Sequence, residues 1–129
     1  MAISLSTTLR NTRANAITTA LGASAKLRLY TAAYAVLLAE CVCDATAFAP
    51  AAVAGVLTAN AISPGTAAAA GDAALGRLYA SDGTTLVIGG ISISDSAGAG
   101  DLKLAQTGVA MSAGQSVVVD SLQISEGNV

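Results

Sequence analysis

The chain has 129 residues, 53% hydrophobic but only 3% aromatic, with no tryptophan, no histidine and a net charge of −2. This length fits one domain with a thin, alanine-rich core, and six basic residues scattered against eight acidic ones leave no footprint for a nucleic-acid backbone. The missing histidine excludes the common Ser-His and Cys-His hydrolytic arrangements.

Ser6-Thr7-Thr8-Leu9 reads as a helix start with a hydroxyl at the cap, and Gly22 as its exit. Leu5, Leu9, Ala16 and Ala20 fall on one side at helical spacing, with Ile17 and Leu21 on the shoulder and Arg13 in the same arc. So narrow a stripe cannot hold a helix alone, so the segment must dock, either on its own sheet or as an arm on a neighbour. Arg10 and Arg13, one turn apart, are either a solvated pair or cations for a partner's carboxylates.

From Ala25 the period changes to two. Lys26-Leu27-Arg28-Leu29-Tyr30 alternates, which predicts a strand with Leu27 and Leu29 inward. Arg28-Leu29-Tyr30 recurs as Arg77-Leu78-Tyr79, an echo read as similar strand chemistry. Leu37 to Ala45 predicts a second strand, interrupted by Phe48-Ala49-Pro50. A third is expected around Gly55 to Ala61, followed by a turn at Ser63-Pro64-Gly65. For Thr66 to Gly76 the alanine run favours helix by propensity, but Gly71 and Gly76 argue for a strand.

The clearest local signal is Leu75 to Ile93, which reads as a β-hairpin turning at Ser81-Asp82-Gly83-Thr84 with a third strand beginning. A two-residue Asp82-Gly83 loop would set Tyr79 against Leu86, Leu78 against Val87 and Arg77 against Ile88. Gly89-Gly90 bends the chain, and Ser94 to Gly100 reads as a mobile loop. Asp101 to Thr107 and Ser116 to Ser125 complete the strands, the latter shifting phase at Asp120-Ser121 as a bulge would. The fold class expected is mainly β: a jelly-roll-like antiparallel β-sandwich of about eight strands with one N-terminal α-helix. Residues 1–129 form a single domain in this reading, 1–22 the helix or arm and 23–129 the sandwich.

Cys41 and Cys43, two apart on a strand, share a face; a disulfide there would be strained, and two thiols without histidine make no zinc centre, so they read as buried free thiols. The carboxylate pairs Glu40 with Asp44 and Asp95 with Asp101 read as solvent-facing residues, and a calcium site on Asp95 and Asp101 matches no EF-hand spacing. No catalytic residue, metal or cofactor is assigned. Met1 to Leu9 carries no secretory pattern, and the uncharged stretch Ala45 to Gly71 holds prolines and alanines where a spanning helix would carry leucine, so no membrane is expected.

MAISLSTTLRNTRANAITTALG, KLRLY, GVLTANAIS, GRLYASDGTT and the closing SLQISEGN together resemble the small structural proteins of tailed bacteriophages. The similarity is nearest to the cement (decoration) proteins of short-tailed phages that infect Bordetella. It spans nearly the whole chain, departing where Ala74-Leu75 stands in place of an aromatic pair. The resemblance implies a jelly-roll protein made in the host bacterial cytoplasm. It would sit on the outer surface of the virion head as a homodimer bound to the major capsid protein, without nucleic acid or membrane partners and without enzymatic activity. The residues singled out for a partner interface are Leu9, Arg10, Arg13 and Ile17 on the helix, with Tyr30 and Tyr34. A tail or head-to-tail connector component is one alternative. A carbohydrate-binding jelly roll is another, with only Tyr30, Tyr34, Tyr79 and Phe48 available as a stacking shelf.

Overall fold

A computed structural model describes residues 5–49 and 55–125. Helix α1 (Thr7–Leu21) is followed by β1 (Lys26–Tyr30), a 3-10 turn (Ala32–Tyr34), β2 (Leu37–Val42), β3 (Val56–Thr58), β4 (Gly65–Thr66) and β5 (Gly71–Asp72). Then come β6 (Leu75–Tyr79), β7 (Leu86–Asp95), β8 (Leu102–Leu104), β9 (Ala110–Met111), β10 (Ser116–Val117) and β11 (Val119–Ser125). The protein is thus mainly β with one N-terminal helix, as the alternating pattern implied. Pro50 and Val53, expected between the second and third strands, lie outside the described residues.

Seven strands form a mixed sheet in the order β2-β1-β6-β7-β8-β11-β3, and β10-β4 and β5-β9 make two short ribbons. Eleven strands form among the described residues instead of about eight, because the segments around Thr66 and Ser116 break into two-residue pieces. One core unites the layers: Leu27 and Leu29 of β1, Leu78 of β6, Leu102 and Leu104 of β8, Leu122 of β11, Leu57 of β3 and Val117 of β10 are all buried in it. Phe48 is the one aromatic side chain there. Leucine and alanine supply most of the rest, which keeps the burial per residue small.

Ser6 caps α1, its Oγ accepting the Leu9 N–H at 3.2 Å, and Gly22 closes it. The face that docks is not the stripe read from the sequence. Ala14 and Leu21 are buried and Ile17 packs against the core, whereas Leu9, Ala16 and Ala20 are exposed. The helix has almost no apolar contrast between its sides, so close approach at Ala14 and a hydrogen bond from the Gly55 N–H to Asn11 Oδ1 at 2.7 Å set its rotation. It lies on its own domain, packed on β3 and β7.

The β6–β7 hairpin forms, but no third strand begins before Ile93: β7 runs on through Gly89-Gly90 to Asp95, its bulges bending it without ending it. The hairpin loop holds four residues, closed by the Ala80 N–H donating to the Thr85 carbonyl at 2.9 Å. A β-turn inside it places Gly83 at φ 74, where a side chain would be strained. Tyr79 does pair with Leu86, but Leu78 pairs with Ile88 and Gly76 with Ile91. Two extra residues in β7, at Val87 and at Gly89-Gly90, shift the register twice. A third shift, at Asp120 in β11, falls where the phase change implied it.

β7 and β8 run parallel, although only six residues, Ser96 to Asp101, connect them. So short a parallel return is unusual, and side-chain hydrogen bonds build it. Asp101 N–H donates to Ser92 Oγ, Gly100 N–H to Ser94 Oγ, and Ala97 and Gly108 N–H groups to the Asp95 carboxylate. The segment read as a mobile loop is therefore tied down. Ser63-Pro64-Gly65 also differs from the turn expected: Gly65 opens β4, and the Ser63 N–H donates to the Val42 carbonyl beside β2.

Candidate interaction surface

Alternation along β1 and β6 sends Leu27, Leu29 and Leu78 inward and sends Lys26, Arg28, Tyr30, Leu75, Arg77 and Tyr79 to the opposite face. Strand register then arranges that face in rows. Val42, Lys26, Tyr79 and Leu86 are successive cross-strand partners, as are Glu40, Arg28 and Arg77, and Leu37, Tyr30, Leu75 and Ser92. All three tyrosines and three of the six cations of the chain meet here.

The two Arg-Leu-Tyr triplets sit on neighbouring antiparallel strands with Arg28 opposite Arg77. Each arginine therefore reaches diagonally to the tyrosine of the other triplet. The Arg28 guanidinium lies 4.5 Å from the Tyr79 ring centre and that of Arg77 5.4 Å from Tyr30. Arg77 also covers the Tyr34 ring at 3.7 Å, and the rings of Tyr30 and Tyr34 meet edge to face at 5.4 Å.

Tyr34 reaches this place from the β1–β2 connection, where Ala33 (φ 58) and Tyr34 (φ 56) both adopt the left-handed conformation. Thr31 braces the connection by accepting the Val36 N–H on its Oγ1 at 3.0 Å. The Tyr34 hydroxyl accepts the Gly90 N–H at 2.6 Å, supplying a partner to backbone that the bulge removes from the ladder. Two left-handed non-glycine residues in succession cost free energy that these contacts must offset.

Glu40 is the one carboxylate in the rows. Its Oε2 accepts from Arg28 Nε at 2.7 Å, and its Oε1 lies 3.6 Å from Lys26 Nζ. The hydrogen bond from Arg28, then its charge, holds the carboxyl below the usual glutamate range. Tyr30 is raised, chiefly by burial. Tyr79 is lowered, first by the hydrogen bond it accepts from Tyr30. Around this charged and aromatic centre, Leu37, Val42 and Leu86 keep 41%, 38% and 49% of their surface exposed. Tyrosine and arginine ringed by aliphatic side chains is the composition of protein interfaces.

Tyr30 and Tyr34, singled out in the sequence, are thus brought together. Leu9, Arg10, Arg13 and Ile17 are not part of this cluster: they lie on α1, which packs on the core side of the sheet. Ile17 packs against the core, Leu9 and Arg13 are exposed, and Arg10 Nε is enclosed with no hydrogen-bond partner among the described residues. Arg28, Arg77, Tyr79 and Glu40 were not among the interface residues named from the sequence, where Tyr79 figured only in a stacking shelf and Glu40 only in a carboxylate pair; the repeated Arg-Leu-Tyr, which holds three of the four, was the available signal.

The other sequence candidates take structural roles. Glu40 belongs to the cluster just described, whereas Asp44 accepts the Ala45 N–H beyond the strand end. Asp95 organises its loop, and among the described residues no group of three or more His, Cys, Asp or Glu side chains could hold a metal ion. Cys41 and Cys43 are buried free thiols, and burial pushes Cys43 up to about 11. No helix among the described residues is long and apolar enough to cross a membrane. Comparison with protein-family models, with curated proteins and with solved structures found no match.

Proposed function

We propose that this chain is a virion structural protein, a capsid cement that binds the outside of a phage head and ties capsomers of the major capsid protein together. It would act as a homodimer on the virion surface and perform no catalysis. The observation that carries this reading is the broad outer sheet face, where tyrosines and arginines are stacked between exposed Leu37, Val42 and Leu86. Such a face suits flat contact with another protein. Cementing needs no single strong site, because weak contacts repeated over a symmetric shell add up through multivalency. The sequence resemblance to phage cement proteins points the same way.

The carbohydrate-binding alternative loses support, since Phe48 is buried and guanidiniums cover the Tyr34 and Tyr79 rings. Purified particles test the proposal by mass analysis and cryo-EM. Many copies spread over the outer shell are expected. Absence from particles, or a few copies at the tail, would sink it and in the second case favour the connector alternative.

A further inference from the structure

We infer that the outer sheet face docks an extended segment of another protein that presents a carboxylate to Arg77 and apolar side chains to Leu37, Val42 and Leu86. This inference rests on the cement reading and names the chemistry of the partner. Arg28 and Arg77 are directly opposed, yet only Arg28 has an acid: Glu40 bonds to it at 2.7 Å, and among the described residues Arg77 forms no ion pair. Asp82 in the adjoining turn does not serve Arg77, because its two oxygens accept from Thr84 and Thr85.

The Arg77 guanidinium is also preorganised. Cation–π contacts with Tyr34 at 3.7 Å and Tyr30 at 5.4 Å hold the guanidinium in place, and among the described residues no carboxylate pairs with it. Tyr34 is held in turn by Gly90 and by the left-handed connection. Little side-chain freedom remains to be lost on binding.

Charge selects the class of partner. The face holds Lys26, Arg28 and Arg77 against Glu40 alone, on a chain whose net charge is −2. A second copy meeting this face with its own would set cation against cation. A nucleic-acid backbone needs more cations than these three and has no use for aliphatic flanks.

The test is an NMR titration of the full chain with the peptide acetyl-Leu-Glu-Leu-Glu-Leu-amide and with its glutamine counterpart. The glutamate peptide is expected to shift the Arg77 side-chain N–H and Tyr34 ring signals with a Kd on the order of 1 mM. The glutamine peptide should bind about tenfold more weakly. Arg77→Gln should abolish the difference between the two peptides. Equal binding of both peptides, shifts that map away from this face, or no saturable shift below roughly 10 mM would each overturn the inference. So would preferential binding of inorganic phosphate or of a DNA duplex, or a change in self-association on Arg77→Gln by sedimentation equilibrium, which would give the face to a second copy. Since the two peptides are compared on the unaltered protein, the result does not depend on the variant folding. Particle binding of Arg77→Gln separates the two proposals: shell association unchanged by the substitution overturns this inference and leaves the cement reading intact.

Discussion

Arg28 and Arg77 face each other across β1 and β6, and only one of them is neutralised. Like charges directly opposed on a sheet destabilise it. Glu40 relieves Arg28, while stacking on Tyr30 and Tyr34 is what Arg77 has instead. The two arginines should therefore respond differently to removal. Arg28→Leu leaves Glu40 without its main partner and should cost about 1 kcal/mol, the partial exposure of both groups limiting the loss. Arg77→Leu loses ring stacking but ends the repulsion, and should fall within about 0.5 kcal/mol of the parent. Urea unfolding decides between them; a larger loss for Arg77→Leu would contradict this account.

The β1–β2 connection makes a second pair of predictions. Tyr34→Phe keeps the ring under Arg77 but removes the acceptor of the Gly90 N–H, and should cost about 0.5–1.5 kcal/mol. Ala33→Gly relieves a left-handed alanine at φ 58 and should stabilise by up to about 1 kcal/mol. Thermal melts of the two variants should move in opposite directions. If Ala33→Gly lowers the melting temperature, the connection is not strained as described.

Acid should loosen the hairpin turn by a predictable route. Hydrogen bonds from the Thr85 hydroxyl, then from the Thr85 and Thr84 N–H groups, lower Asp82 from 3.8 to about 2. Between those values the unfolded chain binds more protons than the folded one, so stability falls as pH falls. The contribution is complete above the unfolded value and is lost as pH drops through the folded one. Glu40, lowered chiefly by its hydrogen bond with Arg28, has the same sign. Melts of the parent should therefore decline from about pH 4 towards pH 2, and Asp82→Asn should decline less over that window. An identical acid limb in both proteins would remove Asp82 from the explanation.

How far the sequence reached follows from which forces are local. Leu27 and Leu29 alternate with Lys26, Arg28 and Tyr30, so the buried side of β1 was legible, as was the turn carried by Asp82 and Gly83. The docked face of α1 was not, because Ala14, Ala16 and Ala20 look alike in sequence and the choice among them depends on Asn11 meeting Gly55. Register within β7 was hidden for a similar reason. Its extra residues at Val87 and Gly89-Gly90 leave no local mark of the register, and at Gly90 it is Tyr34, distant in sequence, that accepts the N–H. For the outer face, Tyr30 and Tyr34 could be named, but its organisation needed the knowledge that the two Arg-Leu-Tyr triplets are adjacent strands.

The parallel return from β7 to β8 gives the sharpest structural test, because its geometry leaves no room for a side chain. A Cβ at Gly100 would lie 2.7 Å from the Ser94 nitrogen and 3.0 Å from both the Ile93 carbonyl carbon and the Leu102 oxygen, all of them backbone atoms that cannot swing aside. The φ of Gly100 is outside the left-handed region, so the contact is the whole of the effect. Gly100→Ala should thus cost about 1–3 kcal/mol, whereas Ala99→Ser beside it, on an exposed residue, should stay within about 0.5 kcal/mol. The loss should be concentrated where Ile93, Ser94 and Asp95 pair with Leu102, Lys103 and Leu104. Hydrogen exchange at those amides should accelerate in Gly100→Ala well before that of the β1–β6 ladder. Uniform acceleration across both ladders, or none at all, would mean that the six-residue return is not what holds β8 beside β7.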